Sequence, residues 1–210
     1  MIKIGVFGGM FDPVHAGHLE AAHYAVAALG LDKVLMVPCQ TPNHRNSAFA
    51  SGEHRLAMLA LACAEDPTLE PCSIELDREG VSYSVDTMAQ LRSAYPDCSF
   101  VFLLGLDAFE SLPKWERWEE LLDDNLLAVF ARPGSELSTE SSAKLNIAER
   151  TVVSADELFA AGRGKVLMLN GMANSLSSTA VRASLKSGSE EANAPMLEAL
   201  SRYIASHKLY

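Results

Sequence analysis

The sequence predicts an α/β fold in which a doubly wound parallel sheet carries helices on both faces. Three observations predict it: short continuous apolar runs recur along the chain, segments with apolar side chains at helical spacing separate them, and glycine, proline and polar residues mark the boundaries. Strands that are apolar throughout are typical of parallel sheets buried on both faces. We expect a single domain over residues 1–210, with a small helical portion at the C-terminal side.

The first half of the chain alternates strand and helix. Residues 2–7 are apolar and β-rich, and the following HLEAAHYAVAALG has helical periodicity, with Gly30 as a stop signal. The run KVLMV at 33–37 predicts a second strand. A polar loop follows, and Ser51 is the predicted N-cap of a second helix.

The second half continues this alternation. The pattern predicts strands at 73–76, 99–104, 126–131 and 166–169, and helices at 84–94, 115–122 and 190–210. The stretch 134–142, rich in Ser, Thr and Glu, is predicted to be a surface loop rather than a linker between domains.

Charge and cysteine content narrow the class of protein. Seventeen basic residues against 27 acidic ones give a net charge of −10, which repels a nucleic acid backbone, so no nucleic acid partner is expected. The four cysteines show no CxxC spacing and are interpreted as buried thiols in a reducing compartment. We expect neither a signal peptide nor a membrane-spanning run, and hence a cytoplasmic protein with no membrane partner.

The stretch GGMFDPVHAGH at 8–18 follows the first strand and opens the first helix. Gly8 and Gly9 allow the backbone to approach an anion, and the helix start supplies N–H groups to it. His15 and His18 are three residues apart and should point the same way. Two other interpretations stay open, a surface pair at a helix cap and half of a zinc site. The dinucleotide fingerprint GxGxxG is absent here.

A second cluster, SLSSTAVRASL at 175–185, contains Ser177, Ser178, Thr179 and Arg182. Hydroxyls and N–H groups at a helix start, with a guanidinium one turn later, form a second potential anion site. The alternative is an ordinary Ser/Thr N-cap with a solvated arginine. Two phosphate-binding helix starts in one α/β domain would suit a triphosphate held at both ends.

These motifs resemble those of a known superfamily. GGMFDPVHAGH resembles the GGxFDPxHxGH signature of the nucleotidyltransferases, and LSSTAVR is similar to their ISSTxIR motif. The HxGH element is also shared with cytidylyltransferases and class I aminoacyl-tRNA synthetases. The blocks between the two motifs are similar, in this order, to those of the bacterial nicotinate-nucleotide adenylyltransferase family: TPNHR, EHRLAML, DREGVSYSVDT, GLDAFESLPKWERWEELL and ARPG.

The resemblance implies the Rossmann-like nucleotidyltransferase fold, with the Ser/Thr/Arg motif and closing helix in about 171–210. It implies transfer of AMP from ATP to nicotinate mononucleotide, giving deamido-NAD and pyrophosphate, by direct in-line attack. Mg²⁺ would be bound mainly through the ATP phosphates, with no metal site built from side chains. The implied catalytic residues are His15, His18 and Arg182. The implied ATP-binding residues are Gly8, Gly9, Met10, Phe11, His15, His18, Ser177, Ser178, Thr179 and Arg182.

The acceptor nucleotide is expected to meet the middle blocks. By resemblance, Asp107 lies near a ribose and Trp115 stacks on the pyridine ring. Each also has a structural interpretation: Trp115 as a packing residue, Asp107 as a helix N-cap and Tyr83 as a helix cap. The implied acceptor-binding residues are His44 and Arg45 near the phosphate, main-chain groups around Ser84 and Trp118, and Tyr83, Asp107 and Trp115.

The sequence departs from the family pattern at a few positions. Met10 replaces the usual threonine, which removes a hydroxyl near the phosphates, and Trp118 replaces a usual tyrosine. Alternatives for the function are an adenylyltransferase acting on nicotinamide mononucleotide or phosphopantetheine, and a non-catalytic ATP-binding sensor. The sequence leaves the oligomeric state open, including a homo-oligomer.

Overall fold

The protein is a seven-stranded parallel sheet covered by helices, as the computed structural model shows for residues 1–41, 48–78, 80–131, 137–171, 178–187 and 198–210. Every strand pair described is parallel. The strands are β1 (Ile2–Gly9), β2 (Lys33–Pro38), β3 (Leu69–Pro71), β4 (Cys98–Gly105), β5 (Leu126–Ala131), β6 (Thr151–Val152) and β7 (Lys165–Asn170).

Helices connect the strands, as parallel pairing requires. They are α1 (Ala16–Leu29), α2 (Gly52–Cys63), α3 (Ser84–Ala94), α4 (Leu106–Glu110), α5 (Trp118–Asp124), α6 (Thr139–Lys144), α7 (Ile147–Arg150), α8 (Ala155–Ala161), α9 (Ser178–Ser187) and α10 (Glu198–His207). A short 3₁₀ turn (Leu112–Lys114) lies between α4 and α5. No helix in the described ranges is long and apolar enough to cross a membrane.

The strand order is β3-β2-β1-β4-β5-β7-β6. On one side of β1 lie β2 and then β3; on the other side of β4 lie β5, β7 and β6, with β7 between β5 and β6. The sheet therefore changes direction between β1 and β4. Phe7 of β1 pairs with Leu103 of β4, so both strands end at the same edge. In open α/β sheets ligands bind in the crevice that such a reversal leaves at the carboxyl ends of the strands.

Two apolar cores lie on opposite faces of the sheet, and β4 contributes to both. Phe100, Phe102 and Leu104 belong to one core, whereas Val101 and Leu103 belong to the other. Helices α3, α4 and α5 cover the first face, and α1, α2, α8 and α10 cover the second. This arrangement confirms the doubly wound fold that the continuous apolar strands predicted.

The strand predicted at 73–76 is wrong, because these residues form a turn and the third strand is β3. The N–H of Asp77 donates to the carbonyl of Ser73 at 2.9 Å, and the Ser73 hydroxyl donates to Asp77 Oδ2 at 2.6 Å. These two local bonds, one between backbones and one between side chains, hold residues 73 and 77 together in a turn and compete with strand pairing. Alternating polarity alone could not reveal this local competition.

Three helix and loop predictions need correction. The helix predicted at 115–122 begins only at Trp118, because Arg117 adopts a left-handed conformation with φ 48°. The predicted surface loop at 134–142 contains the start of α6, where Ser138 accepts a hydrogen bond from the N–H of Ser141 at 3.2 Å as an N-cap. The helix predicted at 190–210 is α10, and residues 188–197 lie outside the described part of the chain.

The four cysteines are thiols and form no disulfide, but only Cys63 is fully buried. Burial raises its pKa to about 11, which keeps this thiol protonated at neutral pH. Cys39, Cys72 and Cys98 are partly exposed, so the prediction of four buried thiols is wrong for three of them.

Candidate active site

A cavity of about 260 Å³ opens at the carboxyl ends of β1 and β4, where the sheet changes direction. It lies between the loop after β1, the start of α3, the segment before α5 and the first residue of α9. The residues predicted from the sequence that line it are Gly8, Gly9, Met10, Phe11, His18, Tyr83, Ser84, Trp115 and Ser178. The fold therefore brings together four separate sequence blocks.

The loop after β1 is shaped by Phe11. This residue has φ 47°, in the left-handed region, and its side chain is 1% exposed. A Cβ atom at Gly9 would approach the Phe11 ring to 3.2 Å, so the glycine leaves room for this ring. The Phe11 ring also meets the His18 ring edge-on, with centroids 4.9 Å apart. The loop is thus packed against the helix that follows it.

His15 and His18 lie together at the start of α1, as their spacing predicted. His15 is the N-cap, and the two rings are stacked with centroids 3.7 Å apart. The N–H of His15 donates to Nδ1 of His18 at 3.2 Å. His18 lines the cavity and His15 does not, while His15 Nδ1 is buried with no hydrogen-bond partner among the described residues.

Both histidines are neutral at pH 7. Burial lowers the pKa of His15 to about 4. Burial, and secondarily the charge of His15, lowers the pKa of His18 to about 3. Because Nδ1 of His18 accepts a backbone hydrogen bond, the proton of the neutral ring is assigned to Nε2. The ring is therefore prepared to donate one hydrogen bond without carrying a charge.

The Ser/Thr/Arg motif at the start of α9 contacts the GGMFDPVHAGH loop, although Pro13 and Ser178 are 165 residues apart in the sequence. Helix α9 begins at Ser178, whose hydroxyl donates to the carbonyl of Pro13 at 3.1 Å. Arg182 donates through Nη1 to the carbonyl of Asp12 at 2.5 Å and through Nη2 to the Thr179 hydroxyl at 3.2 Å. The two predicted anion sites thus form one continuous surface.

Asp12 and Arg55 support this loop from beneath, a role that the sequence did not reveal. Arg55 is 1% exposed and donates to the carbonyl of Met10 at 2.9 Å and to that of Ala50 at 3.2 Å. Burial lowers the pKa of Arg55, and the nearby carboxylate of Asp12 opposes that shift. The sequence did contain a signal for this buried role, because Arg55 is a charged residue at the start of the largely apolar helical run HRLAMLALA.

On the acceptor side, Tyr83 is the N-cap of α3, which confirms its structural interpretation, and it also lines the cavity. Ser84 and Val85 begin the helix beside the cavity, where first-turn N–H groups have no intrahelical acceptor. Trp115 packs edge-on against Phe102 at 6.5 Å between centroids, and its indole N–H donates to Ser111 Oγ at 3.3 Å. Trp115 therefore both packs and lines the cavity.

Several predicted residues do not line the cavity. Asp107 is exposed in the first turn of α4, whose N-cap is Gly105, so its interpretation as an N-cap is wrong. Trp118 packs partly buried against the core at the start of α5. His44, Arg45 and Ser177 lie outside the described residues.

Glu75 and Ser82 line the cavity without having been predicted. Glu75 is 6% exposed and accepts a hydrogen bond from the Thr87 hydroxyl at 2.7 Å. Burial raises the pKa of this carboxyl, against the opposing effect of hydrogen bonds from Thr87 and Ser82. Thr87 itself lies in the block DREGVSYSVDT, so Glu75 ties the start of α3 to the preceding turn.

In the described ranges, no group of three or more His, Cys, Asp and Glu side chains is arranged to hold a metal ion. The cavity instead offers the imidazole N–H of His18 as a hydrogen-bond donor, and the guanidinium of Arg182 lies beside it on the carbonyl of Asp12. The one O–H of Ser178 already donates to the carbonyl of Pro13. The imidazole and guanidinium donors suit phosphate oxygens.

This fold and site define the class of protein. Residues 6–184 match the cytidylyltransferase-like family model, a nucleotidyltransferase class. The "probable nicotinate-nucleotide adenylyltransferase" of Aeromonas hydrophila is 38% identical over 207 residues, covering 99% of this chain and 96% of that protein. The protein of the same name from Marinobacter nauticus is 41% identical over 184 residues, covering 87% and 85%. The chain therefore belongs to the nicotinate-nucleotide adenylyltransferase family.

Solved structures agree at the level of the fold. The nicotinic acid mononucleotide adenylyltransferase of Plasmodium falciparum complexed with NaAD superimposes with a TM-score of 0.76 at 17% identity, covering 100% of this chain and 98% of that one. The same Plasmodium enzyme complexed with APC gives a TM-score of 0.74 at 16% identity. These comparisons confirm the nucleotidyltransferase fold that the motifs predicted.

Proposed function

We propose that this protein transfers AMP from ATP to nicotinate mononucleotide, giving deamido-NAD and pyrophosphate in NAD biosynthesis. One observation carries the proposal: in a chain of this family, His18 and Ser178 line the same cavity at the point where the sheet changes direction. The two motifs that would bind a triphosphate are thereby on one surface, next to a pocket for a second nucleotide.

On the ATP side, the chain supplies donors rather than a nucleophile. His18 would donate through Nε2–H to a phosphate oxygen, and an anion bound there would raise the pKa of this imidazole. In the structure Arg182 donates to the carbonyl of Asp12, and the Ser178 hydroxyl donates to the carbonyl of Pro13. A guanidinium has five N–H donors, so Arg182 can keep its loop contact and still bind β- and γ-phosphate oxygens.

The reaction itself is a direct displacement. A phosphate oxygen of nicotinate mononucleotide would form a bond to the α-phosphorus of ATP, while the bond from that phosphorus to the bridging oxygen breaks. Pyrophosphate leaves with the bonding electrons, and His18, which lines the cavity, would stabilise the charge that grows on the bridging oxygen. The same role for His15, which does not line the cavity, stays a prediction. Catalysis is then mainly positioning and charge stabilisation.

Mg²⁺ is the expected metal, and the residues of the site fit it only indirectly. The described lining holds the carboxyl groups of Glu75 and Glu116 but no group of three His, Cys, Asp or Glu side chains that could hold a metal ion, so we propose that Mg²⁺ arrives on the triphosphate oxygens and water. When bound, it would neutralise charge on the leaving pyrophosphate.

The acceptor would occupy the part of the cavity between α3 and Trp115. First-turn N–H groups at Ser84 and Val85 would face the nicotinate carboxylate, which the positive end of the α3 dipole favours. Trp115 would stack on the pyridine ring. Roles for Tyr83, Asp107, Trp118, His44 and Arg45 stay predictions.

The cellular setting is also a proposal. The net charge of −10 and four cysteines that form no disulfide support a cytoplasmic protein without a nucleic acid or membrane partner.

The deciding experiment measures Mg²⁺-dependent pyrophosphate release from ATP with three acceptors supplied separately: nicotinate mononucleotide, nicotinamide mononucleotide and phosphopantetheine. We expect a strong preference for the first, because a site with donors for a carboxylate matches an amide poorly. A preference for either other acceptor would overturn the acceptor assignment. ATP binding without pyrophosphate release with any acceptor would indicate a sensor.

A further inference from the structure

Tyr210 contacts the phosphate loop directly. Its hydroxyl donates to Oδ1 of Asp12 at 2.6 Å, across 198 residues of sequence. Asp12 lies in the middle of GGMFDPVHAGH, between the residues that line the cavity and the start of α1. The motifs discussed above do not include Tyr210, and the proposed mechanism does not use it.

The carboxylate of Asp12 is almost wholly buried, with 4% of the residue exposed. Its Oδ2 accepts from the N–H of Phe49 at 2.7 Å, and its Oδ1 accepts from the N–H of Ala50 at 3.1 Å. The Tyr210 hydroxyl is the side-chain donor in this set. A buried carboxylate depends on such donors, so each one fixes the orientation of the side chain.

The ionisation of Tyr210 supports its role as a donor. Burial and the neighbouring carboxylate of Asp12 raise the pKa of the Tyr210 phenol well above its usual value. The hydroxyl therefore keeps its proton at any pH at which the protein would act, and it donates to Asp12 throughout.

Helix α10 places Tyr210 at the loop. Leu200 and Ile204 bury one side of this helix against the core that α2 shares, and the Tyr203 hydroxyl lies 2.9 Å from Nδ1 of His54 on α2. After the helix the chain reverses, because Lys208 has φ 54° and the N–H of Leu209 donates to the carbonyl of Ile204 at 3.1 Å. This helix end turns Tyr210 back toward Asp12.

We propose that Tyr210 is a positioning residue for the ATP site. Its hydroxyl donates to the Asp12 side chain, and the backbone carbonyl of Asp12 accepts a hydrogen bond from Arg182. Asp12 therefore connects the C-terminal segment after α10 to Arg182, the residue predicted to bind the triphosphate. Loss of the hydroxyl lets the loop between Met10 and Pro13 move away from the geometry that Arg182 and His18 require. The inference rests on the proposed function, because it assigns the loop to ATP.

The test compares Tyr210→Phe with a matched control, Tyr203→Phe. Each variant loses one hydroxyl from the same C-terminal segment, but Tyr203 bonds His54 and not the loop. In the Tyr210→Phe variant we expect KM for ATP to rise about tenfold or more, as for one hydrogen bond to a buried charged group. KM for nicotinate mononucleotide should stay within about twofold. The Tyr203→Phe variant should leave both KM values near those of the parent protein.

A second measurement separates this inference from the proposed function. The dissociation constant of a non-hydrolysable ATP analogue with Mg²⁺ is determined by titration calorimetry for the parent protein and both variants, without an acceptor. Weaker binding by the Tyr210→Phe variant alone supports the inference even if the acceptor assignment fails. Equal binding by the parent protein and the Tyr210→Phe variant overturns it. Equal weakening in both variants also overturns it, since the effect would then come from docking of α10 and not from Asp12.

Discussion

At His18, the structure provides the hydrogen-bond donor that the predicted phosphate chemistry requires. Its ring is neutral, its Nδ1 is occupied by the backbone N–H of His15, and its side chain lines the cavity. A donor held in this way needs no reorganisation when charge develops on a phosphate oxygen. Removal of one such donor typically lowers turnover about a hundredfold or more.

The His18→Ala variant should therefore lose about a hundredfold or more in kcat, measured as pyrophosphate release with nicotinate mononucleotide at saturating ATP. His23→Ala is the matched control, because His23 lies on the same helix and its exposed side chain pairs with Asp66. The control should keep normal turnover. Near-normal turnover in the His18→Ala variant would contradict the catalytic role of this histidine.

His15 supplies a prediction about pH. Its pKa is about 4 in the folded protein and 6.5 in the unfolded chain, so between these values the unfolded state binds more protons. The free energy of unfolding should therefore fall as the pH drops from 6.5 to 4 and should not fall further from this group below pH 4. At about 1.4 kcal/mol per pH unit, the loss is about 3 kcal/mol.

The measurement is urea unfolding of the parent protein and the His15→Gln variant between pH 7 and pH 4. The variant cannot take up this proton, so the difference in unfolding free energy should shift in its favour by about 3 kcal/mol across the range. A difference that does not vary with pH would show that His15 is not the group responsible.

Helix α10 is the element whose docking matters most for the site, since it covers α2 and leads to Tyr210. Ile204 is 4% exposed on its buried face. Truncation of such a side chain leaves a cavity, so the Ile204→Ala variant should lose about 2 to 4 kcal/mol of unfolding free energy in urea. On the exposed face, Arg202→Ala should change it by less than about 0.5 kcal/mol. Similar losses in both variants would mean that α10 is not packed as described.

The elements also show why some boundaries escaped prediction. Strands β1, β4 and β5 were predicted closely because their central residues are buried on both faces and form continuous apolar runs. The turn at 73–76 alternates in polarity like a strand, and local bonds such as those between Ser73 and Asp77 distinguish it from one. Helix α5 starts later than predicted because Arg117 adopts a left-handed conformation. The sequence contains no signal for it, since neither glycine nor asparagine stands at this position.

At the scale of the whole molecule, the sequence predicted the fold class and the two phosphate motifs, because both depend on residues that are close together in the sequence. It did not predict what supports them. Asp12, Arg55 and Tyr210 come from three distant parts of the chain, and their contacts arise only when α2 and α10 pack beside the loop. Glu75 was missed for the same reason, since its partner Thr87 lies twelve residues away across a turn.

This long-range assembly predicts how ATP affects global stability. The surface that would bind the triphosphate joins the loop after β1 to α9, so it exists only while both parts of the chain are folded. A non-hydrolysable ATP analogue with Mg²⁺ at about 100 times its dissociation constant should stabilise the protein by about 2.7 kcal/mol. For a chain of this size, that corresponds to a rise in melting temperature of roughly 5 to 10 °C.

The Arg182→Ala variant should lose at least about half of this rise at the same analogue concentration, because removal of a charge-assisted phosphate contact weakens binding roughly tenfold or more. Arg163→Ala is the control, since Arg163 is 73% exposed and pairs only loosely with Asp124 at 3.6 Å. The quantity compared is the ligand-induced shift in melting temperature of each protein, which cancels any effect of the substitution on the unliganded fold. An undiminished shift in the Arg182→Ala variant would show that this arginine does not bind the triphosphate and only stabilises the loop through its bond to Asp12.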